Sequence, residues 1–250
     1  MEKLPKDLAD VSQSLTGKAS AAVGRRMFMR YLGATAAAGV ALSACKDQIV
    51  DPSVRGSGRA GFATVDLGDL GSNDIGILNY AYALEQLEAA FYTQALMTPY
   101  SGITSAERMI LTDIRDHEIV HREFFKAALG SAAIPGLTPD FSTINFSSRA
   151  SVLGTAKVFE NVGVSAYNGA GQFIMSADYL LLAGKIVSVE ARHASIIATL
   201  LDPQGTSFAG DDIIFPSNGL EEIRVPSEVL AIVAPYIKET INGMQVRRKV

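Results

Sequence analysis

The chain has a single cysteine, no tryptophan and only three histidines in 250 residues. One Cys excludes an intramolecular disulfide, and with it any zinc or iron–sulfur site built on several thiolates. Collagen-like, disulfide-rich and low-complexity chains need excesses of Gly, Cys or polar residues, and the composition has none of them. A long apolar run is also missing. The Ala-rich, uncharged stretch from Tyr31 to Ala44 has 14 residues, whereas a bilayer-spanning helix takes about 20. A formal charge of -4 gives no basis for nucleic-acid binding. What is present is a chain that is 48% hydrophobic and 19% charged, long enough for one large domain with appendages.

The N-terminal residues form a pattern of their own. Gly24-Arg25-Arg26-Met27-Phe28-Met29-Arg30 precedes the Ala-rich run, and Leu42-Ser43-Ala44-Cys45 follows it. The first resembles a twin-arginine export signal, with Arg25 and Arg26 as the pair, and the second resembles a bacterial lipobox. By that resemblance residues 1–44 are a removed signal peptide and Cys45 is the lipidated mature N-terminus. The leader holds six basic residues (Lys3, Lys6, Lys18, Arg25, Arg26, Arg30) and three acidic ones (Glu2, Asp7, Asp10). Without it the chain keeps 16 basic and 23 acidic residues, a net of -7. A domain this acidic suits cations and would be held at a membrane by lipid, not by charge. Residues 45–71, rich in Gly and Asp and without sustained periodicity, are expected to be a flexible linker.

Helical spacing then dominates. Leu78, Ala81, Tyr82, Ala89, Tyr92 and Leu96 share one stripe of a helix from about Asn73 to Met97. Thr104-Ser105-Ala106-Glu107 is a capping-box sequence that opens a second helix to about Leu129, with Gly130 as its C-cap. A third helix fits Arg149 to Ala170 and a fourth Ser176 to Leu201, closed by Asp202-Pro203. Pro226-Ser227-Glu228 starts a short fifth, which Pro235 should kink or stop. A helix of about 25 residues is roughly 37 Å long, and connections of about six residues reach at most roughly 20 Å. Helices one and two, and three and four, must therefore be antiparallel neighbours. The stretch from Gly130 to Ser148 can run back along the whole bundle, which lets helices two and three be parallel. The expected fold is all-α: a four-helix bundle of two antiparallel pairs joined by a long crossover, spanning 72–202, with a C-terminal extension over 203–250.

Each long helix carries a glutamate inside its apolar stripe near mid-length: Glu85, Glu118, Glu160 and Glu190. Carboxylates among such neighbours must be neutralised, paired or metal-bound. The helices also repeat two by two. Glu85-x6-Tyr92 matches Glu160-x6-Tyr167, and Glu118-x2-His121 matches Glu190-x2-His193, with Glu-to-Glu steps of 33 and 30 residues. A Glu and a His three apart on a helix point to the same side and can reach one metal.

One Glu from each of two helices plus Glu-x-x-His from each of the other two resembles the ligand set of ferritin-like di-iron and di-manganese proteins. The run Leu78-Asn79-Tyr80-Ala81-Tyr82-Ala83-Leu84-Glu85-Gln86-Leu87-Glu88-Ala89-Ala90-Phe91-Tyr92 is similar to the ferritin-like domain of exported bacterial and desiccation-related proteins. The resemblance covers about residues 73–201. It implies two iron or manganese ions, one at Glu85, Glu118 and His121 and the other at Glu160, Glu190 and His193, with Glu118 and Glu190 as bridges. Four carboxylates and two divalent ions make a neutral site, and ligands without thiolate suit iron or manganese while not excluding zinc.

Glu88 lies about 60° around the helix from Glu85 and competes as ligand; the Tyr92 spacing favours Glu85. Tyr92 and Tyr167 either hydrogen-bond ligand carboxylates or are themselves oxidised, or are core tyrosines with satisfied hydroxyls. His117, about 100° from Glu118, suits a surface or supporting role. Arg115, Arg122 and Lys157 are expected to be solvated or paired, and Gly163, Gly169 and Gly171 to permit close packing or end helix three. The resemblance implies an exported, lipid-anchored protein facing the periplasm or the cell surface. Its partners would be metal ions, oxygen or peroxide, the membrane through its anchor and, in a homodimer, a second copy. Its chemistry would be that of a ferroxidase, peroxidase or catalase-like enzyme. The alternative is a metal-binding or stress- and desiccation-protective lipoprotein without significant turnover. A closed iron-storage cage fits poorly with an anchor, linker and extension.

Overall fold

The starts of the four long helices are set by side chains that satisfy free backbone N–H groups. The computed structural model describes residues 62–70 and 73–244; the expected signal peptide, Arg25, Arg26, Cys45 and most of the expected linker lie outside the described residues. Asn73 accepts from the Ile75 N–H and opens α1, Asp74–Met97. Thr104 and Glu107 form the reciprocal capping box that opens α2, Ser105–Leu129, and Gly130, at a φ of 53°, closes it. Ser148 caps α3, Arg149–Ala170, and Ser176 caps α4, Ala177–Leu201. Gly171 and the two residues after it continue from α3 as a 3-10 turn. The four long helices agree with the sequence expectation to within a residue or so.

The ends of the helices fix their directions. Arg149 at the start of α3 pairs with Glu107 at the start of α2, Nε–Oε1 2.6 Å, and donates to the Leu200 carbonyl at the end of α4. At the opposite end, Asp74 of α1 accepts from the Met175 and Ser176 N–H groups at the start of α4. Helices α2 and α3 therefore run parallel, as do α1 and α4, and the crossover from 130 to 148 returns along the bundle. It is fastened to α1: Asn79 accepts from Ile134 N–H and donates to the Ala132 carbonyl, and Gln86 accepts from Leu137 N–H. Phe141 and Phe146 of the crossover then pack on Phe91, with ring centroids 6.0 and 5.9 Å away.

This covering changes the character of α1. The sequence suggests an amphipathic helix with one apolar stripe, yet 16 of its 24 residues are buried, including Tyr80, Ala83 and Phe91 outside that stripe. The crossover and the segments described next supply the second apolar surface.

One region differs from expectation, and the C-terminal extension, whose short helix is as expected, holds more structure besides. The end of the expected linker, Thr64–Asp69, is strand β1, with Val65 and Leu67 buried. It pairs in parallel with β4, Thr240–Met244, through Thr64↔Thr240, Val65↔Ile241 and Asp66↔Asn242. Each strand is too short to announce itself, and its partner lies some 170 residues away. The C-terminal extension is likewise packed onto the bundle. A hairpin of β2, Ile214–Phe215, and β3, Leu220–Glu221, leads to Arg224, whose N–H donates to the Ser165 carbonyl and whose guanidinium donates to Ser165 Oγ. The approach is so close that a Cβ on Gly169 would collide with the Arg224 carbonyl. Helix α5, Pro226–Val233, buries Val229 and Val233 and ends in the turn that holds Pro235. Tyr236 stacks edge-on against Phe159, and Lys238 N–H bonds the Thr138 carbonyl of the crossover. No helix among the described residues is long and apolar enough to cross a membrane.

Replacing Asn79 with Leu should strand the buried Ile134 N–H. The expected loss is about 1–3 kcal/mol, read from the urea midpoint. A change under about 0.5 kcal/mol, the level of an ordinary surface substitution, would show that the crossover does not depend on this clamp.

Candidate metal centre

The four mid-helix glutamates meet in the bundle interior. Glu85, Glu118, Glu160 and Glu190 are fully buried, and His193 nearly so; His121 is slightly more open. Both imidazoles turn Nδ1 toward the acids. Nδ1 of His121 lies 2.9 Å from Glu190, 3.5 Å from Glu85 and 3.6 Å from Glu118. Nδ1 of His193 lies 2.8 Å from Glu118, 3.4 Å from Glu160 and 3.8 Å from Glu190. These are contacts of opposite charge without the angles of hydrogen bonds. Both oxygens of Glu118 and of Glu190, one each of Glu85 and Glu160, and both Nδ1 atoms lack a hydrogen-bond partner among the described residues.

Two overlapping groups result. Glu85, Glu118, His121 and Glu190 offer four donor atoms within 4.8 Å of one another, and so do Glu118, Glu160, Glu190 and His193. Glu118 and Glu190 belong to both. Buried, unsatisfied carboxylate oxygens and imidazole nitrogens are donors that fit a hard or borderline cation such as iron or manganese.

The tyrosines are exchanged between the helix pairs. Tyr92 of α1 donates to Glu160 of α3, and Tyr167 of α3 donates to Glu85 of α1. Each hydroxyl restrains one carboxylate oxygen and leaves the other turned inward. The spacing Glu-x6-Tyr invited a hydrogen bond to a ligand acid, but which acid depends on the packing of α1 against α3 and is not readable from either helix alone.

Beyond the six lie two further residues. Glu88 is also buried, against Gly163, where a Cβ would stand 3.2 Å from Glu88 Oε1 and 3.6 Å from Glu190 Oε2. Gly163 occupies in α3 the place that Glu88 occupies in α1, three residues past the matching glutamate. Glu88 stands outside both four-donor groups. Nδ1 of His117 shares a 2.9 Å hydrogen bond with Nε2 of His193, the rings nearly parallel. A partner on the far nitrogen fixes the ring so that Nδ1 keeps facing the acids. Outside this pair lies a surface recess of about 250 Å³ lined by Asp113, His117, Arg192 and His193. Arg115, Arg122 and Lys157 are paired with Asp116, Glu123 and Asp212.

Burial and mutual repulsion govern protonation in the metal-free protein. Burial, reinforced by Glu190, pushes Glu118 well above the usual carboxylate range, and burial with the surrounding acids does the same to Glu88. Burial raises Glu160 to about 7. For His121 and His193 burial opposes the charged form, but the facing carboxylates win and raise both to about 12. Glu190, between the two imidazoles, is drawn down to about 2 against the effect of burial. His117 is held below its ordinary value, first by burial and then by His193, and so stays neutral and able to accept.

The folded, metal-free chain therefore retains protons that unfolded acids release near 4.5 and unfolded imidazoles near 6.5. Its stability should fall as pH rises from about 5 to about 9, while Glu190 contributes the opposite trend only in more acidic solution. Thermal melting in chelator should show a decreasing Tm over that range, flattened or reversed by divalent metal, which displaces the protons. A Tm that rises with pH in chelator would show the acids already ionised.

A family model described as Ferritin-like domain matches residues 73–203. Comparison with curated proteins gives no significant match. The matched stretch exceeds half of the chain and contains the four long helices, both Glu-x-x-His pairs and both exchanged tyrosines, and the chain belongs to the ferritin-like domain family.

Proposed function

We propose that this is an exported, lipid-anchored ferritin-like protein that holds two iron or manganese ions and oxidises metal or reacts with oxygen or peroxide. The observation that carries the reading is the pair of four-donor groups sharing Glu118 and Glu190. Glu85, Glu118 and His121 would hold one ion, Glu160, Glu190 and His193 the other, with the shared acids between them. Bound there, iron or manganese would supply the redox equivalents that oxygen or peroxide chemistry needs.

The protein's own contribution is geometric and electrostatic. Tyr92 and Tyr167 steady Glu160 and Glu85 from opposite helix pairs. His117 orients His193. The buried setting excludes bulk water and strengthens every charge interaction. Four carboxylates balance two divalent ions, so loading replaces protons by metal without leaving net charge in the core.

Reconstituted protein should carry two ions per chain by elemental analysis. Glu118→Ala with His121→Ala should lose both while circular dichroism shows the helices intact; two ions retained would remove the ligand assignment. Ferrous ion and oxygen, or peroxide, should be consumed by the loaded parent. Absence of turnover with both oxidants would leave a metal-binding, stress-protective lipoprotein instead. The anchor rests on the Leu42-Ser43-Ala44-Cys45 pattern: Cys45→Ser should move the protein from the membrane fraction to the soluble one, and unchanged detergent-dependent partitioning would contradict lipidation.

A further inference from the structure

The long helices leave an apolar rim at the end of the bundle where α1 and α4 begin. Asp74 accepts from the Met175 and Ser176 N–H groups, which brings the start of α1, with Ile75, to Met175. Leu180 and Leu181 follow in the first turns of α4, Leu180 lying over Gly171. All four apolar side chains are between 41 and 71% exposed. Single apolar residues scattered over a surface are ordinary, but four gathered at one end mark a contact surface. Charge supplies a second observation. Strand β4 finishes at this same end: Met244 lies opposite Asp69, and a Cβ on Gly76, in the first turn of α1, would stand 2.4 Å from the Asp69 carbonyl. From there the chain continues as Gln245-Val246-Arg247-Arg248-Lys249, with three consecutive cations and no acid. Lys126 in the last turn of α2 adds a cation to this end, and Asp178 in the first turn of α4 opposes it. Met97, at the far end of α1, is also exposed, but the segment after α4 carries Asp202, Asp211 and Asp212 instead of a run of cations.

Apolar side chains beside a cationic segment fit an anionic bilayer. The apolar groups enter the boundary between headgroups and acyl chains, and Lys and Arg near the surface are attracted by anionic headgroups. A second copy of the chain fits worse, because a twofold contact here would bring two cationic segments together. With 16 basic against 23 acidic residues from Cys45 onward, most of the remaining surface is repelled by anionic lipid. Sixteen residues, 46–61, separate Cys45 from Phe62, a reach of at most roughly 55 Å, so an anchored chain permits this end to meet the bilayer.

We infer that this end of the bundle is a membrane-contact surface, in which Ile75, Met175, Leu180 and Leu181 enter a bilayer and Arg247, Arg248 and Lys249 bind its anionic headgroups. The anchor proposed above would bring the protein to the membrane; the inference rests on that reading only for delivery and adds which end faces the lipid. The chain has no Trp, so a single introduced one reports its own surroundings. Lipidated Leu181→Trp protein on vesicles of phosphatidylethanolamine and phosphatidylglycerol should show blue-shifted emission that brominated acyl chains quench. Met97→Trp, a helix length of roughly 36 Å away, should show neither. No quenching in Leu181→Trp protein that floats with the vesicles, or equal quenching in Met97→Trp, would overturn the surface. A blue shift without lipid that grows with protein concentration would assign the rim to a second copy instead. Adding Cys45→Ser separates the surface from the anchor. The introduced Trp at position 181 should still be quenched on vesicles of phosphatidylglycerol alone. Replacing Arg247, Arg248 and Lys249 with Gln should then raise the lipid concentration needed by roughly tenfold or more. Quenching retained in a chain whose membrane fractionation ignores Cys45→Ser would refute lipidation and leave the surface standing. Quenching absent from the Cys45→Ser chain, or indifferent to the three Gln substitutions, would overturn the surface whatever the fate of the anchor.

Discussion

Four carboxylates enclosed at one level of a helical bundle set the terms for everything around them. Each ionised acid taken out of water costs several kcal/mol unless opposite charge or hydrogen bonds replace the solvent. Two imidazoles held protonated, two tyrosine hydroxyls and retained protons on Glu118 and Glu88 perform that replacement in the metal-free chain. Because the compensation comes from all four long helices, the cluster ties their relative heights together. The remaining architecture serves to keep water away from it: α1 is buried nearly all round, the crossover lies along α1, and the C-terminal segment lies over α3 and the crossover.

The two halves of the centre are built alike but not identically. Glu85, Glu88 and Tyr92 on α1 correspond to Glu160, Gly163 and Tyr167 on α3; His117, Glu118 and His121 on α2 correspond to Val189, Glu190 and His193 on α4. The mismatches at Glu88 and at His117 fall on either side of Glu190 and His193. One imidazole therefore has an ordered partner on its far nitrogen, and an additional buried acid lies near Glu190. Differences of this kind in the supporting groups shift ligand basicity, so the two four-donor groups are chemically distinct.

Much of this was legible in the sequence because it is local or periodic. The start of α2 followed from Thr104 and Glu107, the other long helices from the extent of their helical spacing, and helix directions from connection lengths set against helix lengths. The six clustered residues stood out because a charge in an apolar stripe is conspicuous, and because the pattern recurs. What escaped depends on contacts distant in sequence. The β1–β4 pair joins residues 64–69 to 240–244, and neither short strand carries enough alternation to be recognised. The full burial of α1 depends on what lies outside it. Helical spacing placed Tyr92 and Tyr167 on the correct face, yet the acid each one meets is fixed by how the two helix pairs dock.

That exchange of tyrosines has a consequence for how the protein assembles. In α1 with α2, Glu85 waits for a hydroxyl carried by α3; in α3 with α4, Glu160 waits for one carried by α1. Within a hairpin each acid faces only the imidazole of its own partner helix, His121 for Glu85 and His193 for Glu160, and lacks the hydroxyl, so an isolated hairpin compensates its buried acid only in part. The cluster forms only when the hairpins dock, a step that first requires closing the long crossover loop. Completion of the centre is thus a late event in folding, and a metal ion arriving early would meet half a site.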